Sequence, residues 1–280
     1  MIVDAHHHFW DPTRAAYPWM TDELAKIRRP FGPSDLAPQL RRCGVDRSIV
    51  VQARASLDET RDLLATAAVT DFLAGVVGWI DLTDARADQT IAELKALPGG
   101  SKLVGIRHQV HDEPDPAWLL RDDVQRGLAA IGAAGLAYDL LVRTRELPAA
   151  LETVRRFPDL RFVIDHIAKP SIRDGRDTAA WAKAMAPFSD LAHVGVKLSG
   201  MVTEADWARW RPQDLAPYVE LVLGWFGPRR CMFGSDWPVC LLAGDYPNVF
   251  DALLTTLDGL DRAATDDVLG ATAIRVYQLR

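Results

Sequence analysis

Cysteine is scarce. Cys43, Cys231 and Cys240 are the only three in 280 residues, widely spaced and without a CxxC pair. That count excludes a disulfide framework and fits buried thiols in a reducing compartment. Long apolar runs are missing as well: none approaches the ~18–20 residues that a membrane span requires. Met1-Ile2-Val3-Asp4 lacks the basic and apolar regions of a signal peptide, so the expected location is cytoplasmic. Basic charge is in short supply, 32 Lys and Arg against 38 Asp and Glu, for a net charge of −6. Neither nucleic acid nor an anionic membrane is therefore an expected partner. No GxGxxG or GxxxxGK[ST] follows an early strand, which removes support for a nucleotide-binding sheet. What remains is ordinary for a soluble globular protein: 49% hydrophobic and 25% charged residues.

Short β-branched runs alternate with helical patterns along the whole chain. Eight strands are expected at Ile2–His6, Arg47–Val51, Leu73–Trp79, Leu103–Arg107, Leu136–Leu141, Leu160–Asp165, Val194–Leu198 and Arg230–Gly234. Runs such as Ser48-Ile49-Val50-Val51 are nearly continuous in apolar character, as strands buried on both faces require. Between them, Leu215, Tyr218, Val219, Val222 and Phe226 recur at helical spacing, with Asp214 as expected N-cap and Pro217 in the first turn. Eight such β–α units across residues 1–280 predict a single-domain (β/α)8 TIM barrel; a doubly wound open sheet is the main competitor. The longest irregular stretch, Asp11 to Pro38, is expected to lie over one end, where Tyr17 and Trp19 could close a pocket.

A parallel barrel delivers the C-terminal ends of all its strands to one face. In chain order those ends offer His6 and His8; Gln52 and Arg54; Trp79; Arg107 and His108; Asp139; His166 and Lys169; Lys197 and Ser199; and Asp236 and Trp237. Six of the seven histidines fall at or just beyond such ends. Strand alternation puts His6 and His8 on one side, with His7 facing away. Two adjacent imidazoles can ligate a divalent metal or polarise a carbonyl. Asp236, in Gly234-Ser235-Asp236-Trp237-Pro238, is the candidate general base. His166 is a third ligand or an electrophile, and Lys169 a contact for a substrate oxygen. Gln52, Arg54, Trp79, Arg107, His108, Asp139 and Trp237 complete the expected substrate-binding set.

These residues resemble the amidohydrolase superfamily through Asp4-x-His6-x-His8, His166 and Asp236. Asp4-Ala5-His6-His7-His8-Phe9-Trp10-Asp11, Asp165-His166-Ile167-Ala168-Lys169-Pro170 and Phe233-Gly234-Ser235-Asp236-Trp237-Pro238 are similar to its sugar-lactonase branch. That branch includes L-fuconolactone and L-rhamnonolactone hydrolases. The resemblance implies a (β/α)8 barrel that opens a sugar-acid lactone to the free acid. It also implies either one Zn²⁺ or other divalent ion, on His6, His8 and Asp236 with or without His166, or catalysis without metal. A two-metal centre is not expected: Arg107-His108 stands where such members have a lysine, and Asp139-Leu140-Leu141 where many have a histidine.

The expected partner is a small-molecule lactone, with a dimer compatible but unspecified. Three rivals stay open: a metal-dependent decarboxylase of an unsaturated or aromatic acid, an amide or cyclic-imide hydrolase, and a non-catalytic sugar-acid binding barrel.

Overall fold

A computed structural model, describing residues 1–280, forms eight strands close to the expected places. They are β1 (Val3–His7), β2 (Arg47–Val51), β3 (Leu73–Gly78), β4 (Leu103–His108), β5 (Ala137–Leu140), β6 (Arg161–Ile164), β7 (Val194–Leu198) and β8 (Cys231–Phe233). Each pairs in parallel with the next, in the order β1 to β8. A His7–Trp237 bridge brings the last strand back to the first. There His8 N–H donates to Trp237 O at 2.7 Å and Asp236 N–H to His6 O at 2.8 Å. The sheet is thus a (β/α)8 barrel and not an open doubly wound sheet.

The closing seam has its own clasp. Asp4 accepts hydrogen bonds from Ser235 N–H (2.9 Å), Ser235 Oγ (2.6 Å) and Tyr246 Oη (2.9 Å). Burial pushes its carboxyl up to about 6, against the pull of those donors. The first acid of the opening motif therefore fastens β1 to β8.

Strand alternation sorts the barrel into two apolar layers. Val50, Val76, Ile106, Tyr138, Phe162, Val196 and Phe233 face outward against the helices. Val51, Val77, Ala137, Val163 and Met232 face inward around Tyr277, from the final helix Thr272–Tyr277. Gly105 lies beside that ring; a Cβ there would crowd Ala137 O at 3.2 Å and Val77 at 3.3 Å. Each aliphatic or aromatic side chain buried this way contributes ~1.5–3 kcal/mol.

Two local expectations need correction. The helix carrying Leu215 and Phe226 runs Pro212–Phe226, with Arg211 as N-cap. Asp214 sits three residues in and accepts from Arg211 N–H at 2.8 Å, while Pro217 lies in the second turn. Pro212 takes the first helical position, where its fixed φ and missing N–H are tolerated, and so moves the start forward. The irregular stretch after Asp11 ends at Gly32, not Pro38, because a helix spans Pro33–Cys43.

Candidate active site

The same alternation that makes the inner apolar layer puts charge one layer higher. Two residues beyond Gly105, Ala137, Val163 and Gly195 come Arg107, Asp139, Asp165 and Lys197, all buried inside the barrel. Lys197 Nζ is 2.5 Å from Asp139 Oδ2 and 2.9 Å from Asp165 Oδ1. Arg107 Nη1 donates to Asp165 Oδ2 at 3.0 Å, and Nη2 to the backbone O of Gln52. Two cations and two carboxylates close the layer with no net charge.

His6 stands on that layer. A register shift in β1 between Asp4 and His7 accompanies its entry into the interior, while His7 turns to Ser48 Oγ at 2.9 Å. Arg107 Nη1 approaches His6 Nε2 at 3.2 Å. A guanidinium has only donors, so Nε2 offers its lone pair and the ring proton lies on Nδ1, 3.3 Å from Asp165 Oδ1. His8 is fixed likewise: Nδ1–H donates to Val51 O at 2.8 Å, leaving an Nε2 lone pair 3.2 Å from that of His6. Burial pushes the imidazole of His6 well below its ordinary range, so it stays neutral.

His166 arrives by a strained route. His166, Ile167, Ala168 and Lys169 all have left-handed backbones, with φ of 53, 48, 59 and 51°. For L-residues that conformation costs ~1–2 kcal/mol each. Trp181 Nε1–H caps the turn on Ile167 O at 2.7 Å, and Ile167 and Ala168 are fully buried. The turn sends both His166 and Lys169 to one cavity. His166 Nδ1 pairs with Ser199 Oγ at 2.9 Å, and burial lowers its imidazole to about 4 despite the nearby Asp236.

Gly200, at φ +61°, lies directly behind this ring: a Cβ there would be 2.4 Å from His166 Nδ1. Gly200→Ala is expected to push His166 out of place and lower kcat by about 10²-fold, the scale of a 1 Å misplacement. Steady-state rates on folded variant check it.

Asp236 completes the cluster. Its Oδ1 lies 3.4 Å from His8 Nε2, 3.8 Å from His6 Nε2 and 4.0 Å from His166 Nε2. Burial raises its carboxyl, but His166, His8 and Lys169 outweigh that and hold it below the usual range. The cavity beside it is about 150 Å³, a size that accommodates one six-membered ring. His8, Arg107, His166, Lys169 and Asp236 border it, with Trp19 from the long loop.

The other expected contacts go elsewhere. His6 is fully buried, behind the cavity wall. Gln52 is spent on Arg107, giving Oε1 to Nη2 and Nε2–H to the Arg107 O, each at 3.3 Å. Arg54 faces a separate cavity with Tyr17 and Glu59. Trp79 Nε1–H donates to His108 Nδ1 at 3.0 Å, and His108 Nε2 meets Glu113 at 2.8 Å while its ring stacks on Trp118. Trp237 packs edge-on against Phe9 and Phe31. Asp139 points down the barrel axis to Lys197 and Tyr277, because period-two alternation places it inside the barrel and not on the rim. Asp165, Lys197, Ser199 and Glu204 received no role from sequence; a lysine in the apolar run Val194–Leu198 was the available signal.

His6, His166 and Asp236 present ligand atoms within 4.8 Å of one another. With the His8 lone pair added, the meeting point gathers three imidazole edges and a carboxylate, with Arg107 Nη1 as its one fixed donor. That donor set fits one divalent cation. Asp165 behind His6 and Val51 O behind His8 are the partners that orient such ligands.

The amidohydrolase family matches residues 3–279 of the chain. This protein belongs to the amidohydrolase family. L-fucono-1,5-lactonase from Burkholderia ambifaria is 41% identical over 99% of this chain and 95% of its own. The L-fucono-1,5-lactonase of Burkholderia multivorans is 40% identical over 99% and 96%. Among solved structures, an amidohydrolase from Burkholderia multivorans with bound zinc superposes with a TM-score of 0.94 at 38% identity, covering 100% of both chains. In this amidohydrolase no helix is long and apolar enough to cross a membrane.

Proposed function

We propose that the chain hydrolyses a neutral sugar-acid lactone, L-fucono-1,5-lactone or L-rhamnonolactone first among candidates, to the open-chain aldonic acid. One observation carries the reading: the Asp236 carboxylate, held below its usual range, meets the edges of His8 and His166 at the wall of a ring-sized cavity, with His6 just behind them. Asp236 takes a proton from a water, which attacks the ring carbonyl. The tetrahedral oxyanion develops beside Lys169 and His166, whose Nε2 carries a proton when Ser199 donates to Nδ1. A well-placed donor of this kind is commonly worth ~3–4 kcal/mol. Asp236 then returns its proton to the ring oxygen as the acyl–oxygen bond breaks.

His6, His8 and Asp236, with His166 beside them, would hold a divalent ion, zinc in the first instance. Such an ion supplies Lewis-acid polarisation of the carbonyl. Dialysis of wild type against zinc is expected to leave one ion per chain, and of His6→Asn none, read by elemental analysis. Unchanged zinc in the variant would put the ion elsewhere.

Substrate charge follows from the cations. Arg107 is spent on Asp165, and Lys169 Nζ sits 2.5 Å from Glu204 Oε1. Both cations at the cavity already face a carboxylate, so a substrate carboxylate would compete with Asp165 or Glu204, which favours neutral polyols. The balancing carboxylates are Asp165 and Glu204. With equal enzyme, acid release from L-fucono-1,5-lactone is expected to exceed that from a dicarboxylic lactone at least ~10-fold, about 1.4 kcal/mol. The reverse order would remove the neutral-substrate reading. Neither decarboxylation nor passive sugar-acid binding has an observation in its favour. A cytoplasmic enzyme accords with the three unpaired cysteines.

A further inference from the structure

The charged layer under the site extends to the far end of the barrel. Tyr277 Oη, on the last helix, donates to Asp139, lying 2.8 Å from both carboxylate oxygens. Asp139 in turn holds Lys197, and Lys197 Nζ reaches Asp165 Oδ1 at 2.9 Å while standing 3.2 Å from His6 Nδ1. All four side chains are buried, and none borders the cavity. We propose that Lys197, anchored from below by Asp139 and Tyr277, is a positioning residue that fixes the ring of His6 through Asp165.

His6 needs such a device because its two nitrogens are nearly balanced. Lys197 lies at Nδ1 and Arg107 at Nε2, each at 3.2 Å. Both cations are donors, and a neutral imidazole has one lone pair. What breaks the tie is an acceptor on the Nδ1 side, Asp165 Oδ1 at 3.3 Å. Asp165 can turn that oxygen to the ring only while its two oxygens are shared between Lys197 and Arg107. Lys197 stays put because Asp139 takes one of its protons, and Asp139 stays put because Tyr277 spans both its oxygens. A chain of four contacts thus runs from the last helix to the Nε2 lone pair at the reacting end.

Simple charge balance is the alternative role for these groups, and the two can be separated. Asp139→Asn combined with Lys197→Met removes one charge of each sign, leaves Arg107 with Asp165, and keeps side-chain length. Under charge balance alone the double variant retains wild-type kcat. Under positioning, kcat falls about 10–100-fold, the usual cost of losing a partner behind a reacting group, with KM within about threefold. The inference leans on the proposed lactone hydrolysis only for this rate.

A second readout is independent of substrate. In long-range ¹H–¹⁵N spectra of histidine-labelled enzyme, the His6 signals, assigned by their loss in His6→Asn, should show the Nδ1–H form in wild type. The double variant should keep that tautomer, because Arg107 still faces Nε2, but its Nδ1–H proton should move upfield as Asp165 Oδ1 loses its hold and turns from the ring. An unchanged His6 pattern overturns the proposal whatever the enzyme hydrolyses; a changed pattern without lactone turnover leaves it standing and sinks the lactonase reading. Should the double variant fail to fold, Tyr277→Phe removes one hydroxyl and no charge. It should shift the His6 pattern in the same direction and lower kcat several-fold. Wild-type values for both in that variant overturn the proposal.

Discussion

Asp236→Asn is expected to lower kcat on L-fucono-1,5-lactone by about 10²–10⁴-fold, the usual contribution of a general base. The change is nearly isosteric, and the backbone that holds residue 236 at φ 55° is fixed by its own N–H to His6 O. Asparagine tolerates that left-handed conformation as well as aspartate does. What disappears is a carboxylate kept ionised by His166, His8 and Lys169 against the effect of burial. KM should change little, since the cavity walls stay in place. Acid release followed with a pH indicator, beside a thermal melt of the variant, checks both halves. A variant with normal turnover would mean that another group takes the proton.

Arg107→Met should be the most damaging single change to the fold, at about 3–5 kcal/mol, the cost of removing one member of a buried ion pair. Arg107 is 3% exposed, and its guanidinium ties together β1, β2 and β6 through His6, Gln52 and Asp165. Without it Asp165 keeps Lys197 alone, and the Gln52 carbonyl loses its donor. Against a typical total stability of ~5–15 kcal/mol, the loss is a third or more. Arg107→Lys should recover only part, because an ammonium cannot reach Asp165, His6 and Gln52 in one fork. Urea unfolding midpoints for wild type and the two variants measure this; a loss below ~1 kcal/mol for the methionine variant would contradict the paired layer.

The barrel was legible because its signals are local and repeat. Eight apolar runs such as Arg47–Val51 and Val194–Leu198 fall within a residue or two of the strands that form. His8, His166, Lys169 and Asp236 could be placed at the cavity because each ends or follows a strand, and strand ends share one face. The misplacements have a common physical origin. Gln52, Asp139 and His108, expected among the substrate-binding residues, are each engaged by other side chains, most of them distant in sequence. The partners are Arg107 for Gln52, Tyr277 for Asp139, and Glu113 and Trp79 for His108. Nothing in a stretch such as Tyr138-Asp139-Leu140 announces a tyrosine 138 residues later. Whether a charged residue lies on the rim or one layer down depends on strand register. In β1 that register shifts between Asp4 and His7. The left-handed turn at His166–Lys169 was equally hidden, since it contains no glycine and is held by Trp181 from the next helix.

The most direct test of where and how the ring is opened is a crystal structure of Asp236→Asn soaked with L-fucono-1,5-lactone. The intact ring is expected in the cavity bordered by His8, Arg107, His166 and Lys169. Its carbonyl carbon should face residue 236, and its carbonyl oxygen should lie within hydrogen-bond reach of His166 or Lys169. A lactone seated instead in the larger cavity beside Arg54 and Tyr17, or one whose carbonyl turns away from residue 236, would contradict hydrolysis at this site.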